Sequence, residues 1–478
     1  MFRRFSLFLS SDSSSGRAPL PRHETAVRWI ILGAFLLLGL NLIRNGTYFG
    51  QDFVNHIQSV QQWCHHKAGW FVLDSTNRPL LAWVACAMLH FLKGWDAVMA
   101  TSFVFLLANT AALWFLHDAS RDLMRSPAMR VCCLAMAAFM PFVPVSSVVF
   151  AADSCAQLPF TLSLWAICGV VREGASPRKW IYLALAAVAL LLGMFAKFTL
   201  LLVPLSLCVS LTLLRWDGRL KARLWTVLML AAVVPSLLLG GWLHVKAINE
   251  FKGKIPRHVY QWPGEISVST LLVPKAQDLA IFGAPGYWDY VMVGDLYDFP
   301  LLKANRLSYP ALLHLGLYTD VLNFTKQGYS NIGAPRGPLQ HTFAEMAVVG
   351  GLLFTVSTFL AWLLCVGVLA RSLFRGESMN AGLFLPWIMA ALAWYVPLVF
   401  QLPFLQHAYS WGYWLPRLIM PFVWVSLVLC YRLFEVATEG YPIARRALVY
   451  LTMLQVLCQI MSIWYWNTEM VRFVPLDI

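Results

Sequence analysis

Residues 29–43 read WIILGAFLLLGLNLI, fifteen residues without a charge, bounded by Arg28 and Arg44. With Arg22 and Arg28 ahead of it and no small-residue cleavage site closing it, the stretch predicts a signal anchor rather than a removed signal peptide. The rest of the chain repeats the pattern. Of 478 residues, 59% are hydrophobic and only 12% charged, with a mean hydropathy of +0.64. Soluble domains carry about 25% charged residues. Too few charges remain to cover a water-facing globule, so the composition predicts an all-α polytopic membrane protein. It excludes disorder, fibres and coiled coils as whole-chain readings, and equally a disulfide-stapled secreted module.

A bilayer core about 30 Å thick needs roughly 20 apolar residues per helix. Ten further spans are expected at about 97–116, 131–150, 157–171, 180–195, 198–214, 224–243, 342–370, 382–400, 416–431 and 447–466, which makes about 11 transmembrane helices. The stretch PLLAWVACAMLHFLK (79–93) is also apolar but short, and its placement sets every later orientation. If it lies along the outer interface, 20 of the 36 Lys and Arg residues fall in the N-terminal tail and the cytoplasmic loops. If it crosses, those basic loops face outward, against the positive-inside bias. An interfacial helix is therefore expected. The same bias accounts for the net charge of +13 without nucleic acid.

The expected organisation is a cytoplasmic tail over 1–28 and an N-terminal transmembrane catalytic module over 29–243 with a first outer loop at 44–96. A long outer loop at 244–341 and a C-terminal transmembrane module at 342–478 complete it. Of the ten cysteines, eight, including Cys86, lie in apolar runs and read as small core residues. Only Cys64 and Cys155 fall in loops, as the one candidate disulfide pair.

Phosphate loops, nucleophile elbows, HExxH and dinucleotide fingerprints are missing from the sequence. The chemistry that remains is a set of ionisable residues on the outer side. Asp52, in GQDFVNHIQSVQQW, shares a helix face with His56 four residues on. It reads as a general base or metal ligand, or as the N-cap of a short interfacial helix. Asp153, in FAADSCAQLPF, sits between two apolar spans, where an acid is expensive; it reads as a site residue or as a cap. Arg78, Lys197 and Arg417 lie at the outer boundary and suit an anionic lipid head group, or snorkel there. Lys197 is the only charge between Lys179 and Arg215. A divalent ion between Asp52 and Asp153 suits hard carboxylate ligands.

Together these elements resemble the GT-C superfamily of polyprenyl-phosphate-sugar-dependent glycosyltransferases, in the branch of the lipid A aminoarabinose transferase and the protein O-mannosyltransferases. The matching residues are GQDFVNHI with Asp52, TNRPLLAW with Arg78 and Pro79, and AADS with Asp153. AKFTLLLVP with Lys197, GYWLPRLIMP with Arg417 and YPALLHLGLYTDVLNF continue the match. Asn77 stands where the aminoarabinose type has an acid, and Gly-Tyr-Trp stands where the late segment often has Arg-Tyr.

The resemblance implies a GT-C fold with interfacial helices in the first outer loop. It implies an inverting hexosyl- or pentosyltransferase of a bacterial inner membrane, working on the periplasmic face. Asp52 would be the base and Asp153 an orienting acid. His56, Arg78, Lys197 and Arg417 would bind substrate, the cations holding the phosphate. The partners implied are a polyprenyl-phosphate-linked sugar and a lipid, glycan or protein acceptor. The rival readings are a transporter or flippase, which usually shows internal repeats and midplane polar groups, and a polymerase or ligase of lipid-linked glycans.

Overall fold

The computed structural model describes residues 20–44, 60, 64, 79–150, 152–173, 176–216, 218, 220–251, 314, 317–318, 338–375 and 420–464. Among them the secondary structure is entirely helical. Helices α1 (Arg22–Arg44), α2 (Pro79–Phe91), α3 (Gly94–Ser120), α4 (Pro127–Phe139) and α5 (Phe142–Val148) lead to a 3₁₀ turn at Ala152–Cys155. Helices α6 (Gln157–Arg172) and α7 (Lys179–Ala196) follow, then a second 3₁₀ turn at Phe198–Leu201 and α8 (Leu202–Trp216). Next come α9 (Ala222–Leu228), a π turn at Met229–Val233 and α10 (Val234–Phe251), followed by α11 (Pro338–Arg375), α12 (Met420–Ala437) and α13 (Pro442–Trp464).

Six of these helices are long and apolar enough to cross a membrane, or seven if the bent pair α4–α5 is one span. The chain is a multi-span membrane protein. Each expected span falls at least in part on a described helix except 382–400, which lies outside the described residues, as do residues 416–419 and 465–466. Three of the expected spans on described helices, 157–171, 198–214 and 416–431, are not among those six or seven, and the first two are short as helices. Sixteen residues in α6 and fifteen in α8 give about 24 and 22 Å, less than a hydrocarbon core. The π turn has a local cause: Pro235 lacks the N–H that would bond the Ala231 carbonyl, so the ladder slips by one residue there.

Helix α1 begins at Arg22, inside the segment expected as a tail, because its first turn is buried. Glu24 is 1% exposed. Arg130, on the first turn of α4, meets it through a fork: Nε donates to Oε1 at 2.7 Å and Nη2 to Oε2 at 2.6 Å. Arg130 Nη1 donates to the carbonyls of Met124 and Arg125, both at 2.8 Å. His117, near the end of α3, brings Nε2 to 3.3 Å from Glu24 Oε1.

These contacts set the direction of every neighbouring helix. The start of α1 touches the end of α3, so the two helices run antiparallel. The chain between Arg44 and Gly94 therefore leaves and re-enters at the same end of the bundle. Most of the expected interfacial stretch 79–93 forms α2 (Pro79–Phe91), which is too short to count as a membrane-crossing helix. The end of α6 returns to the charged end: Trp165 Nε1 donates to Asp118 at 2.7 Å, and Arg172 bonds Asp122 at 2.9 Å. Arg432 and Glu435 of α12 pair with each other, and the Ser126 backbone N–H donates to Glu435, so the C-terminal helices join at this end too.

Breaking a buried pair leaves a naked charge and costs about 3–5 kcal/mol, whereas replacing both partners by apolar side chains is often near neutral. Thermal unfolding of purified protein in detergent should show a large loss for Arg130→Met or Glu24→Leu alone. Most of that loss should be recovered when the two are combined.

Candidate functional site

Part-way along the bundle, outward of the Glu24 cluster, two helices stop level with each other. Gly193 of α7 and Pro159 of α6 pack face to face; a Cβ on Gly193 would lie 3.6 Å from that of Pro159. Just before α6 comes the 3₁₀ turn Ala152–Cys155, which carries Asp153, and just after α7 comes Lys197. The turn packs against α2, α3, α5, α6 and α7, so it is a hub of the N-terminal bundle.

The turn is recessed. Asn109 of α3 donates from Nδ2 to the Ser154 carbonyl at 2.9 Å and to its own helix at Phe105 at 2.8 Å. Asn109 lies fifteen residues beyond Gly94, about 22 Å along the helix axis. The Asp153 turn is therefore set beside the inner part of α3 rather than at its outer tip, and this explains why α6 is short. The Ser154 hydroxyl closes the turn, within hydrogen-bonding distance of the carbonyls of Ser146 (2.5 Å) and Val149 (2.6 Å). Gln157 follows, fully buried, with no hydrogen-bond partner for its side-chain amide among the described residues.

Lys197 breaks the apolar run as expected. Its backbone is extended (φ −154°, ψ 139°), and its N–H still closes the last turn of α7 on the Gly193 carbonyl at 3.2 Å. Its own carbonyl accepts from Leu200 at 3.1 Å, opening the next turn. The side chain is half-buried. Two residues earlier, Phe195 stacks on Trp83 of α2, with ring centroids 5.0 Å apart. The N-terminal half of α2 is thus a wall beside Lys197. Its inner face is Pro79, Leu81, Ala82 and Ala85, while Phe91 at its far end is 77% exposed.

Cys86 of α2 forms a disulfide with Cys64. This corrects both cysteine expectations: Cys86 is not a plain core residue, and Cys155 lies buried outside any disulfide. Hydropathy hid the pair because Cys86 sits in an apolar run that is a wall helix rather than a span. Closing a loop of this length contributes about 3 kcal/mol by the chain-entropy account.

Of the candidate site residues, Asp153 and Lys197 are brought to one level on touching elements; the side chain of Asp153 lies outside the described residues. Asp52, His56, Arg78 and Arg417 also lie outside them. Among the described residues, no group of three His, Cys, Asp or Glu side chains gathers as a metal site. Sequence reasoning missed Asn109 and Ser154, whose only signal was a polar residue inside an apolar helix and a Ser beside the acid.

It also missed His314. This residue is fully buried against α11: Nε2 lies 3.0 Å from the Val348 carbonyl and Nδ1 lies 2.8 Å from Thr355 Oγ1. A carbonyl only accepts, so Nε2 carries the proton and Nδ1 accepts from the threonine. Tyr318 stacks on the His314 ring at 5.0 Å and lies over Gly351, where a Cβ would come within 2.5 Å of the phenol ring.

No protein-family profile matches the chain, and no curated protein matches it. Among solved structures it is similar to the oligosaccharyltransferase of Archaeoglobus fulgidus in its apo form, with a TM-score of 0.48 and 12% identity. The alignment covers 93% of this chain and 56% of that one, so the chain spans little more than half of that protein's length.

Burial lowers the His314 pKa from its ordinary 6.5 to about 4, against the opposing pull of the Val348 carbonyl. The stability that follows from keeping His314 neutral is full above pH 6.5. It is lost as pH falls from 6.5 toward 4, because the unfolded imidazole takes up its proton first. The loss should reach about 2–3 kcal/mol. Unfolding scans between pH 7.5 and 4.5 should therefore show a steeper decline for wild type than for His314→Gln.

Proposed function

We propose that the chain is an integral membrane glycosyltransferase of the GT-C type. It would move a hexose or pentose from a polyprenyl-phosphate donor to a lipid, glycan or protein acceptor. The observation that carries this reading is the level placement of the Asp153 turn, ahead of the short helix α6, and of Lys197, at the end of α7, outward of the charged end. Ionisable residues placed where helices stop inside an apolar bundle are site candidates by default. The motif order in the sequence supplies the rest.

The charged end holds paired Arg, Asp and Glu residues and the basic loops, so the positive-inside bias makes it cytoplasmic. The Asp153 and Lys197 end then faces outward, into the periplasm of a bacterial inner membrane. The donor enters with its phosphate toward Lys197, and Arg78 and Arg417 add charge to the same oxygens. Asp52 takes the proton of the acceptor hydroxyl or amine as that group attacks the anomeric carbon. The bond from that carbon to the phosphate oxygen breaks, the electron pair leaves with polyprenyl phosphate, and the configuration inverts. The cations stabilise the leaving group more in the transition state than in the donor. His56 would hold the acceptor or the sugar, and Asp153 would orient the acceptor. A divalent ion would rest on Asp52 and Asp153 alone, so the transfer is derived without it.

Purified protein should consume polyprenyl-phosphate sugars when given a mixed lipid and glycan extract, with products read by mass spectrometry. Asp52→Asn should lower turnover by about 10²–10⁴-fold with folding intact. Lys197→Met should lower turnover and weaken donor binding together. If donor is bound or carried across vesicles but never consumed, the transporter reading replaces this one. Turnover that survives Asp52→Asn keeps the enzyme class and removes the base.

A further inference from the structure

We propose that the Cys64–Cys86 disulfide is the positioning device of this site: it pins the wall helix α2 beside the Asp153 turn and Lys197, and it places that end of the bundle in an oxidising compartment. The proposal rests on the transferase reading only for its consequence on donor binding.

Four observations lead there. The first is placement. Cys86 lies on a helix of 13 residues, about 20 Å long and too short to cross a bilayer. The antiparallel α1 and α3 return the chain to the end from which it left. The cross-linked helix therefore lies on the outer side of the bundle, and it packs against the Asp153 turn.

The second is the flanks of the partner. Cys64 sits in QQWCHHK (61–67). Two glutamines, two histidines and a lysine do not enter hydrocarbon without partners. The sequence around Cys64 is thus one that favours the water boundary, and the bond ties it to the middle of α2.

The third is what α2 touches. It packs on the Asp153 turn and on α7, with Trp83 against Phe195. Its inner face is two alanines, a leucine and a proline, and a 13-residue helix gains little order from its own hydrogen bonds. A covalent tie is a strong constraint on so small a face.

The fourth is selectivity. Among the described residues this is the only disulfide, and the other eight cysteines keep their thiols. Disulfides persist where the compartment is oxidising and are rare where it is not. When the bond forms, two thiols lose two protons and two electrons. Thiol exchange passes them to a disulfide-bearing oxidoreductase of that compartment, which becomes a dithiol.

The test begins in intact cells. Free thiols are alkylated on acid denaturation, disulfides are then reduced, and the new thiols are tagged with a maleimide polymer. Two tags per wild-type chain and none on Cys64→Ser are expected; no tag on wild type overturns the oxidising assignment.

The second arm is hydrogen exchange on purified protein before and after reduction. Amides of α2 should exchange about tenfold faster on reduction while those of α3 hold. Cys64→Ser with Cys86→Ser should match the reduced wild type and ignore reductant. Unchanged α2 exchange overturns the positioning role. With turnover in hand, reduction should raise the donor KM several-fold with kcat nearly retained; an equal loss of both points to general unfolding and also overturns it. Tagging and exchange need no donor, so absence of sugar transfer sinks the transferase reading and leaves the disulfide proposal standing or falling by itself.

Discussion

The carboxylate of Glu24 lies inside a helical bundle only because Arg130 lies there with it. Neither charge is tolerable there alone, since an uncompensated ion away from water is far more expensive than any helix packing around it is favourable. The Arg130 fork uses four of its five N–H donors on Glu24, Met124 and Arg125. That leaves little freedom to rotate α4 about its axis or to slide α1 past it. The rest of the architecture hangs from this restraint. α4 touches α1 and α3 on one side and α12 and α13 on the other, so fixing α4 fixes the join between the N-terminal and C-terminal helices.

One end being pinned, the lengths of the helices decide what happens at the other. α3 has 27 residues and α6 only 16. Both have their C-terminal ends at the charged end, through His117 on Glu24 and Trp165 on Asp118. A short helix beginning beside a long one has to start part-way along it. The turn that feeds it then has backbone groups with no water to meet. Asn109 and Ser154 meet them, and the acid of that turn comes with the geometry. The recess is thus a consequence of unequal helix lengths, and the polar residues around it are the condition for its stability.

Much of this was readable from residue types. Uncharged runs marked the helices, because hydrocarbon selects for them wherever the chain crosses. Lys197 stood out as a lone charge and proved to be a helix break. The parity of the first outer segment followed from where the arginines lie. Other features were hidden for physical reasons. Glu24 is four residues from Arg28 in a polar stretch, and nothing local distinguishes a buried carboxylate from a solvated one; its partner is 106 positions away. A hydropathy window sees that residues 157–171 are apolar but not at what depth they start. Cys86 among Val, Ala and Met looks like any small core side chain until a second cysteine reaches it.

The two ends of the bundle also differ in how their polar groups are satisfied, and this separates stability from chemistry. At the Glu24 end, carboxylates and guanidiniums bond one another, so removing one partner destabilises and changes little else. At the Asp153 end, the turn is held by the neutral groups of Asn109 and Ser154 and by backbone carbonyls. The described ion pairs thus gather at one end, while the described bonds that hold the Asp153 turn are neutral. Losing one member of an ion pair leaves a buried charge behind, whereas losing the Asn109 or Ser154 bonds removes neutral contacts only, so the two ends answer differently to substitution.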